Sequence, residues 1–351
     1  MSTRSYGQAF RVALAGLLAS SAVLGPRTAA ADQLLVLEKG TQTLAIVDPK
    51  TLEVRARVPA GADPHEVIAS SDGRVAYISN YGGEGSSQHT LSRADLVTRQ
   101  ALPPLDLGAL RSAHGLDFAG GEVYFTAETS KVIGRYDPAS ARIDWVMGTG
   151  EDRTHMILVA GPDRIYTSNV RSGTIAILQS SVLQTPFQRG VTVWHVTRVP
   201  AGRGSEGFDV SPDGSQLWAA NGQDATVTVI DLKTQQPVAT FPIPVTFPNR
   251  LKFTHDGRHV LVSALGRFGQ PHAPGSNDLI VLDASSHQLV KTFDLGGGAA
   301  GVLIAPDGRH AYVAVSQADR VAELDVQSLS VSRTITGVSK PDGMAWAAAG
   351  R

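Results

Sequence analysis

The sequence predicts an all-β fold, a seven-bladed β-propeller with four antiparallel strands per blade, and three observations carry that expectation. One apolar-alternating pattern recurs seven times, a second pattern of a strand running into a turn also recurs seven times, and the two ends of the repeat array are complementary.

The first pattern comprises PHEVIASSDG (64–73), AHGLDFAGG (113–121), THMILVAGPD (154–163), SEGFDVSPDG (205–214), PNRLKFTHDG (248–257), AAGVLIAPDG (299–308) and the shortened PDGMAWA (341–347). Aligned on their turns, these place one apolar set at Val67, Leu116, Ile157, Phe208, Leu251, Val302 and Met344. A second set follows two residues later, from Ala69 through Trp346, and this period of two is the mark of a strand. Next come strands such as VAYIS (75–79), EVYFT (122–126) and HVLVS (259–263), each reached through a turn rich in Gly, Asp or Pro. The second repeated pattern follows, as in TLAIVD (43–48), TVTVID (226–231) and RVAELD (320–325); its final aspartate is expected to cap turn donors. The stretch 180–204 exceeds the repeat, and PFQRGVTVWHVTRV (186–199) within it reads as an outer edge open to a protein partner.

The ends of the array define its closure. The first unit lacks an inner strand ahead of LLVLE (34–38), whereas DGMAWA (342–347) is an inner strand with no further strands behind it. Pairing the two in one blade closes the ring and removes exposed edges.

Composition excludes several functions. With 42% hydrophobic and 18% charged residues among 351, the chain can bury a large core. A net charge of −1 provides no general attraction to nucleic acid or anionic lipid. The absence of cysteine removes disulfides, thiolate metal sites and a cysteine nucleophile. Arg4 and Arg11 precede an apolar stretch (12–25) and then PRTAAADQ, which reads as a signal peptide over 1–31, cleaved after Ala31. That stretch falls short of the ~20 residues a membrane span requires. The expectation is therefore a monomeric propeller over 32–351, periplasmic or secreted, with no stable membrane span and no nucleic-acid partner.

The turns SSDG (70–73), SPDG (211–214) and APDG (305–308), with HDGRHVLVS (255–263), PDGRHAYVAV (306–315) and TVTVIDLKTQQPVATFPI (226–243), resemble the YVTN-repeat, YncE-like family of seven-bladed propellers. The likeness covers roughly residues 33–347. It implies the fold and a periplasmic setting, but no single activity, because related seven-bladed folds include binding proteins, lactonases and cofactor-bearing dehydrogenase subunits.

Two residues before the first apolar position of each inner strand stand His65, His114, His155, Glu206, Asn249, Ala300 and Asp342. In a propeller these would form a ring at one mouth of the central channel. The loops NYGGEGSSQHT (80–90) and GRFGQPHAPGSN (266–277) would overhang it, bringing Tyr81, Arg267 and His272. Three chemistries fit. His65, His114, His155 and Glu206 form an N3O set suited to a divalent transition metal such as Zn, Fe or Mn. His114, His155 and Glu206 are also the candidates for acid–base catalysis in a lactonase-like hydrolase or lyase. Arg111, Arg153, Arg203 and Arg250, with Asn249 and Asp342, suit a small anionic ligand or a metal complex, since guanidinium forks grip carboxylates at two points. Binding of such a ligand is the expected function, with the metal-dependent enzyme second and a protein-interaction scaffold third. One feature opposes all three: the ring positions share strand parity with the packed apolar residues, which would turn them between blades.

Overall fold

The computed structural model describes residues 31–82, 88–185, 187, 189–266, 270, 272–273 and 275–349. The expected signal peptide over 1–31 lies almost wholly outside the described residues. Seven four-stranded antiparallel sheets stand around one axis, and the order of strands within each runs directly outward from the channel. Blades 1 to 6 begin with the inner strands Pro64–Ala69, Ala113–Ala119, Thr154–Val159, Ser205–Val210, Pro248–Phe253 and Ala299–Ile304. Blade 7 combines the inner strand Pro341–Ala347 with the three N-terminal strands, pairing Leu34 with Trp346 and Val36 with Met344. No helix among the described residues is long and apolar enough to cross a membrane.

The apolar alternation read from the repeats is what joins the blades. Among the described residues the buried side chains fall into seven clusters, each straddling one interface between neighbouring blades. Trp218 and Val227 of blade 4 meet Leu251 and Val260 of blade 5, and Tyr312 and Val321 of blade 6 meet Leu34 and Val36 of blade 7. The aspartates ending the third strands cap their turns as expected, as where Asp95 accepts from Val97 N at 2.8 Å and Asp231 from Thr234 N at 2.6 Å. The excess residues near 180–204 lengthen one hairpin of blade 3, whose strands run Thr174–Gln184 and Arg189–Pro200 and leave Val182 and Val191 exposed.

A feature absent from the period-two reading sets the site. In every inner strand the register slips at the ring residue and its successor, as between Pro64 and Val67, Ala113 and Leu116, or Thr154 and Ile157. The same slip occurs in blades 4 to 7. Such a bulge resets parity, so the ring side chain aims into the channel instead of between blades. The amide released by the bulge is caught by a hydroxyl at the end of the second strand: Glu66 N by Ser79, Gly115 N by Thr126 at 2.8 Å, Met156 N by Ser168 and Arg250 N by Ser263. Three of these hydroxyls then donate to the ring residue's carbonyl in the next blade, Thr126 to His155 at 2.7 Å, Ser263 to Ala300 at 2.7 Å, and Ser168 to Glu206.

The backbones there nearly touch. A Cβ on Gly115 would lie 2.4 Å from His155 O, one on Gly207 2.4 Å from Asn249 O, and one on Gly343 2.3 Å from His65 O. Residues with side chains, Glu66, Met156 and Arg250, sit between these glycines around the ring.

Thr126→Val keeps the shape of the buried side chain but strands the Gly115 amide and the His155 carbonyl. It should destabilise the fold by about 1–3 kcal/mol, measured by chemical denaturation; a loss no larger than that of an exposed threonine would remove the hydroxyl from this role.

Candidate functional site

The bulged ring opens into a cavity of about 480 Å³ at one mouth of the channel, lined by all seven ring residues, from His65 round to Asp342. A second tier frames it. The residue two positions before the ring residue is left-handed in six blades: Asp63 (φ 46°), Ser112 (57°), Arg153 (55°), Gly204 (73°), Phe247 (58°) and Lys340 (44°). This conformation is costly for residues other than glycine and is held by surrounding structure. It brings the side chains of Arg153, Phe247 and Lys340 to the cavity wall.

The centre of the polar wall is His155. It is buried, with Nδ1 against Glu128 Oε1 and Nε2 2.8 Å from Glu206 Oε2. Burial alone would lower its pKa, but the paired carboxylates outweigh burial and push it up to about 9. Glu128 and Glu206 are likewise opposed by burial, yet His155 and the neighbouring arginines hold both below the usual carboxylate range. Glu128 Oε2 in turn accepts from Tyr81 O–H at 2.7 Å and Arg153 Nε at 3.3 Å. Tyr81 is shifted upward by burial and by Glu128.

His114 stacks on His155, with ring centroids 3.7 Å apart and planes 30° from parallel. Burial and the adjacent charge of His155 keep its pKa well below the ordinary value, so it is neutral beside a cation. Its buried Nδ1 has no hydrogen-bond partner among the described residues.

A second polar group borders the first. Lys39 donates to His65 Nε2 and pairs with Asp63 at 3.1 Å and Asp342 at 3.5 Å, while His65 Nδ1 faces Asp342 at 3.3 Å. Asp63 is held far below its usual pKa, chiefly by the hydrogen bond to His65. Arg250 of blade 5 reaches across the channel to Glu66 of blade 1, and its Nη1 donates to Asn249 Oδ1 at 3.2 Å. The opposite wall is apolar, with Phe247, Leu265 and Ala300.

The structure therefore gathers His65, Tyr81, His114, Arg153, His155, Glu206, Asn249, Arg250 and Asp342 around one space. Arg111 and Arg203 do not reach it. Each stands three residues before its ring residue, one short of the left-handed position, and turns outward; Arg111 bonds to Gly108 O at 2.6 Å and Arg203 pairs with Asp224 at 2.7 Å. His272 lies in a neighbouring cavity of about 470 Å³, between Asp278 and Asp294, and not in the central one. Arg267 lies outside the described residues. The expected metal set of His65, His114, His155 and Glu206 is not the group that converges. Ligand atoms of His114, Glu128 and His155 come within 4.8 Å of one another, while Lys39 and Asp342 engage His65.

Sequence reasoning missed Lys39, Phe247 and Lys340, and it placed Glu128 in a short loop at the mouth without giving it a role. Glu128 had a readable signal, as an acidic residue immediately after a second strand, at the position that Tyr81 holds in blade 1. Lys340 and Phe247 could have been found from Arg153, which holds the same offset.

No family model and no curated protein matches the chain. Solved structures do. A functionally unknown protein from Desulfotomaculum acetoxidans superposes with a TM-score of 0.71 at 14% identity, covering 90% of this chain and 99% of that one. A protein from Lactobacillus plantarum gives the same TM-score, identity and coverage. The periplasmic gluconolactonase of Pseudomonas aeruginosa gives 0.68 at 17%, covering 91% and 99%. At these identities the likeness is one of fold: the chain is a seven-bladed β-propeller with a polar, charge-paired cavity at its axis.

The raised pKa of His155 predicts a pH dependence for protein free of divalent metal. Its contribution to stability is fully present below the unfolded value near 6.5 and is lost as pH rises through about 9. In histidine NMR titrations one imidazole should change state near pH 9, and Glu128→Gln should move that midpoint down; a midpoint unmoved by the substitution would break the assignment.

Proposed function

We propose that this propeller binds a small organic anion with an apolar portion in its central cavity. The observation that carries the reading is Lys340: the other charges at the cavity are paired, Lys39 with Asp63 and Asp342, Arg153 with Glu128, Arg250 with Glu66 and His155 with Glu128 and Glu206, and Lys340 on the wall is a further cation. Lys340 is exposed and has no ion-pair partner among the described residues. A carboxylate or phosphate entering from the mouth would meet Lys340 and Arg153 first, while Phe247, Leu265 and Ala300 would cover its apolar part. The leader-like residues 1–31 and the turn motifs support placing the protein outside the cytoplasm, among YVTN-repeat, YncE-like propellers.

Thermal-shift measurements against carboxylates and sugar phosphates test this reading. A ligand at about 100 times its Kd stabilises by about 2.7 kcal/mol. Lys340→Ala and Arg153→Ala should each weaken binding about 10- to 100-fold, the worth of one charged hydrogen bond. A panel in which no anion raises the melting temperature counts against anion binding.

One observation favours a second reading, acid–base catalysis in a hydrolase or lyase at the same place: neutral His114 stacked on charged His155 sets a proton acceptor beside a proton donor. The Pseudomonas aeruginosa neighbour is a gluconolactonase, which makes aldonolactones the first substrates to assay. Turnover that falls about 100-fold or more in His114→Gln, with ligand binding retained, would favour catalysis.

A further inference from the structure

At the cavity wall His114 and His155, which the second reading uses for proton transfer, stand with Glu128 behind them as a donor set that neither reading uses as a whole. One ligand atom from each of His114, Glu128 and His155 lies within 4.8 Å of the other two, and all three residues are buried. We infer that this trio is a binding site for a divalent transition metal, with Glu206, Tyr81 and Arg153 holding its ligands in place. The inference goes beyond anion binding and does not depend on it.

Two imidazoles and one carboxylate make an N2O set suited to Zn²⁺, Fe²⁺ or Mn²⁺, and three protein ligands leave a coordination position for water or a ligand oxygen. The surrounding side chains fix the ligand atoms of Glu128 and His155, while His114, stacked on His155 with planes 30° from parallel, would turn to bring a ring nitrogen onto a shared ion. Glu128 has Oε2 held by Tyr81 O–H at 2.7 Å and by Arg153 Nε at 3.3 Å, which leaves Oε1 as the oxygen facing the histidines. His155 has Nε2 fixed 2.8 Å from Glu206, the carboxylate–histidine arrangement that orients a metal-bound imidazole, and presents Nδ1 toward Glu128 Oε1. His114 carries a buried Nδ1 with no partner among the described residues, an unmet requirement that a ligand would satisfy.

An ion here takes the place of the proton between His155 Nδ1 and Glu128 Oε1, and that proton is released to solvent on binding. Charge then balances locally. A dication with Glu128 and two neutral imidazoles carries one positive charge, which Glu206 offsets.

The cluster of His272, Asp278 and Asp294 supplies an internal control. Its ligand atoms are similarly close. It differs in one carboxylate: Asp278 keeps Oδ1 toward His272 while Oδ2 accepts from Leu295 N at 2.7 Å, but both oxygens of Asp294 are taken by backbone amides, Gly275 N at 2.7 Å and Gly296 N at 2.9 Å.

The test uses the full chain, stripped with a chelator, dialysed against Zn²⁺ or Co²⁺ without organic anions, and assayed by elemental analysis and visible spectroscopy. About one equivalent of metal and a Co²⁺ spectrum of nitrogen and oxygen ligation are expected. Glu128→Gln and His114→Ala should each abolish binding, Glu206→Gln should weaken it about 10- to 100-fold, and His272→Ala should leave it unchanged. Melting curves of the stripped variants show which remain folded, and the wild-type Co²⁺ spectrum reports the ligands without any substitution. Failure of the folded wild type to take up stoichiometric metal, or loss of binding in His272→Ala but not in Glu128→Gln, would overturn the site. Because organic anions are absent throughout, neither result bears on anion binding.

Discussion

The fold depends on a hydroxyl that serves two blades. Where an inner strand bulges, an amide leaves its ladder, and a buried amide without a partner is expensive. Thr126 accepts from one such amide and donates to the ring carbonyl of the next blade; Ser263 repeats the arrangement with Arg250 N and Ala300 O. One side chain thereby satisfies the bulge and ties neighbouring sheets at the point nearest the axis. The apolar clusters hold the blades together farther out, but this hydrogen bonding is what allows the ring side chains to turn inward.

Turning inward crowds charge into a partly enclosed space at the axis. Glu66 and Arg250 answer this by pairing across the channel, from blade 1 to blade 5, and so brace the ring from within. Such a pair is a weak source of stability, since desolvating both ions offsets most of their attraction, but removing one partner would leave an uncompensated buried charge. His155 follows the same logic with two carboxylates. Its stacked neighbour His114 cannot also be charged, so two chemically identical side chains 3.7 Å apart are driven into different protonation states by their surroundings.

Much of this was legible in the sequence. The two repeated patterns located the strands, the unmatched strands at either end defined the closing blade, and one offset from the apolar set found the ring. What the sequence hid came from backbone geometry. Strict alternation places His114 on the same side as Leu116, and only the bulge between Ala113 and Leu116 separates them. The traces of that bulge were present but unrecognised, in the glycines after His114 and Glu206 and in the Ser or Thr ending several second strands. Arg111 and Arg203 were misplaced for a related reason: a one-residue offset from a left-handed turn separates a side chain in the cavity from one in solvent.

The glycines that let the inner strands approach one another carry a numerical consequence. Around the ring, residues with and without side chains take turns, Glu66, Gly115, Met156, Gly207, Arg250, Gly301, until Gly343 follows Gly301. An odd ring cannot alternate perfectly, so one neighbouring pair must be alike, and here both members are bare. That defect joins blade 6, which carries Ala300, the single ring position without a polar group, to blade 7, which carries Asp342. A six- or eight-membered ring could alternate throughout; seven blades oblige this one to set two bare backbones side by side, where Gly301 meets Asp342 O and Gly343 meets His65 O.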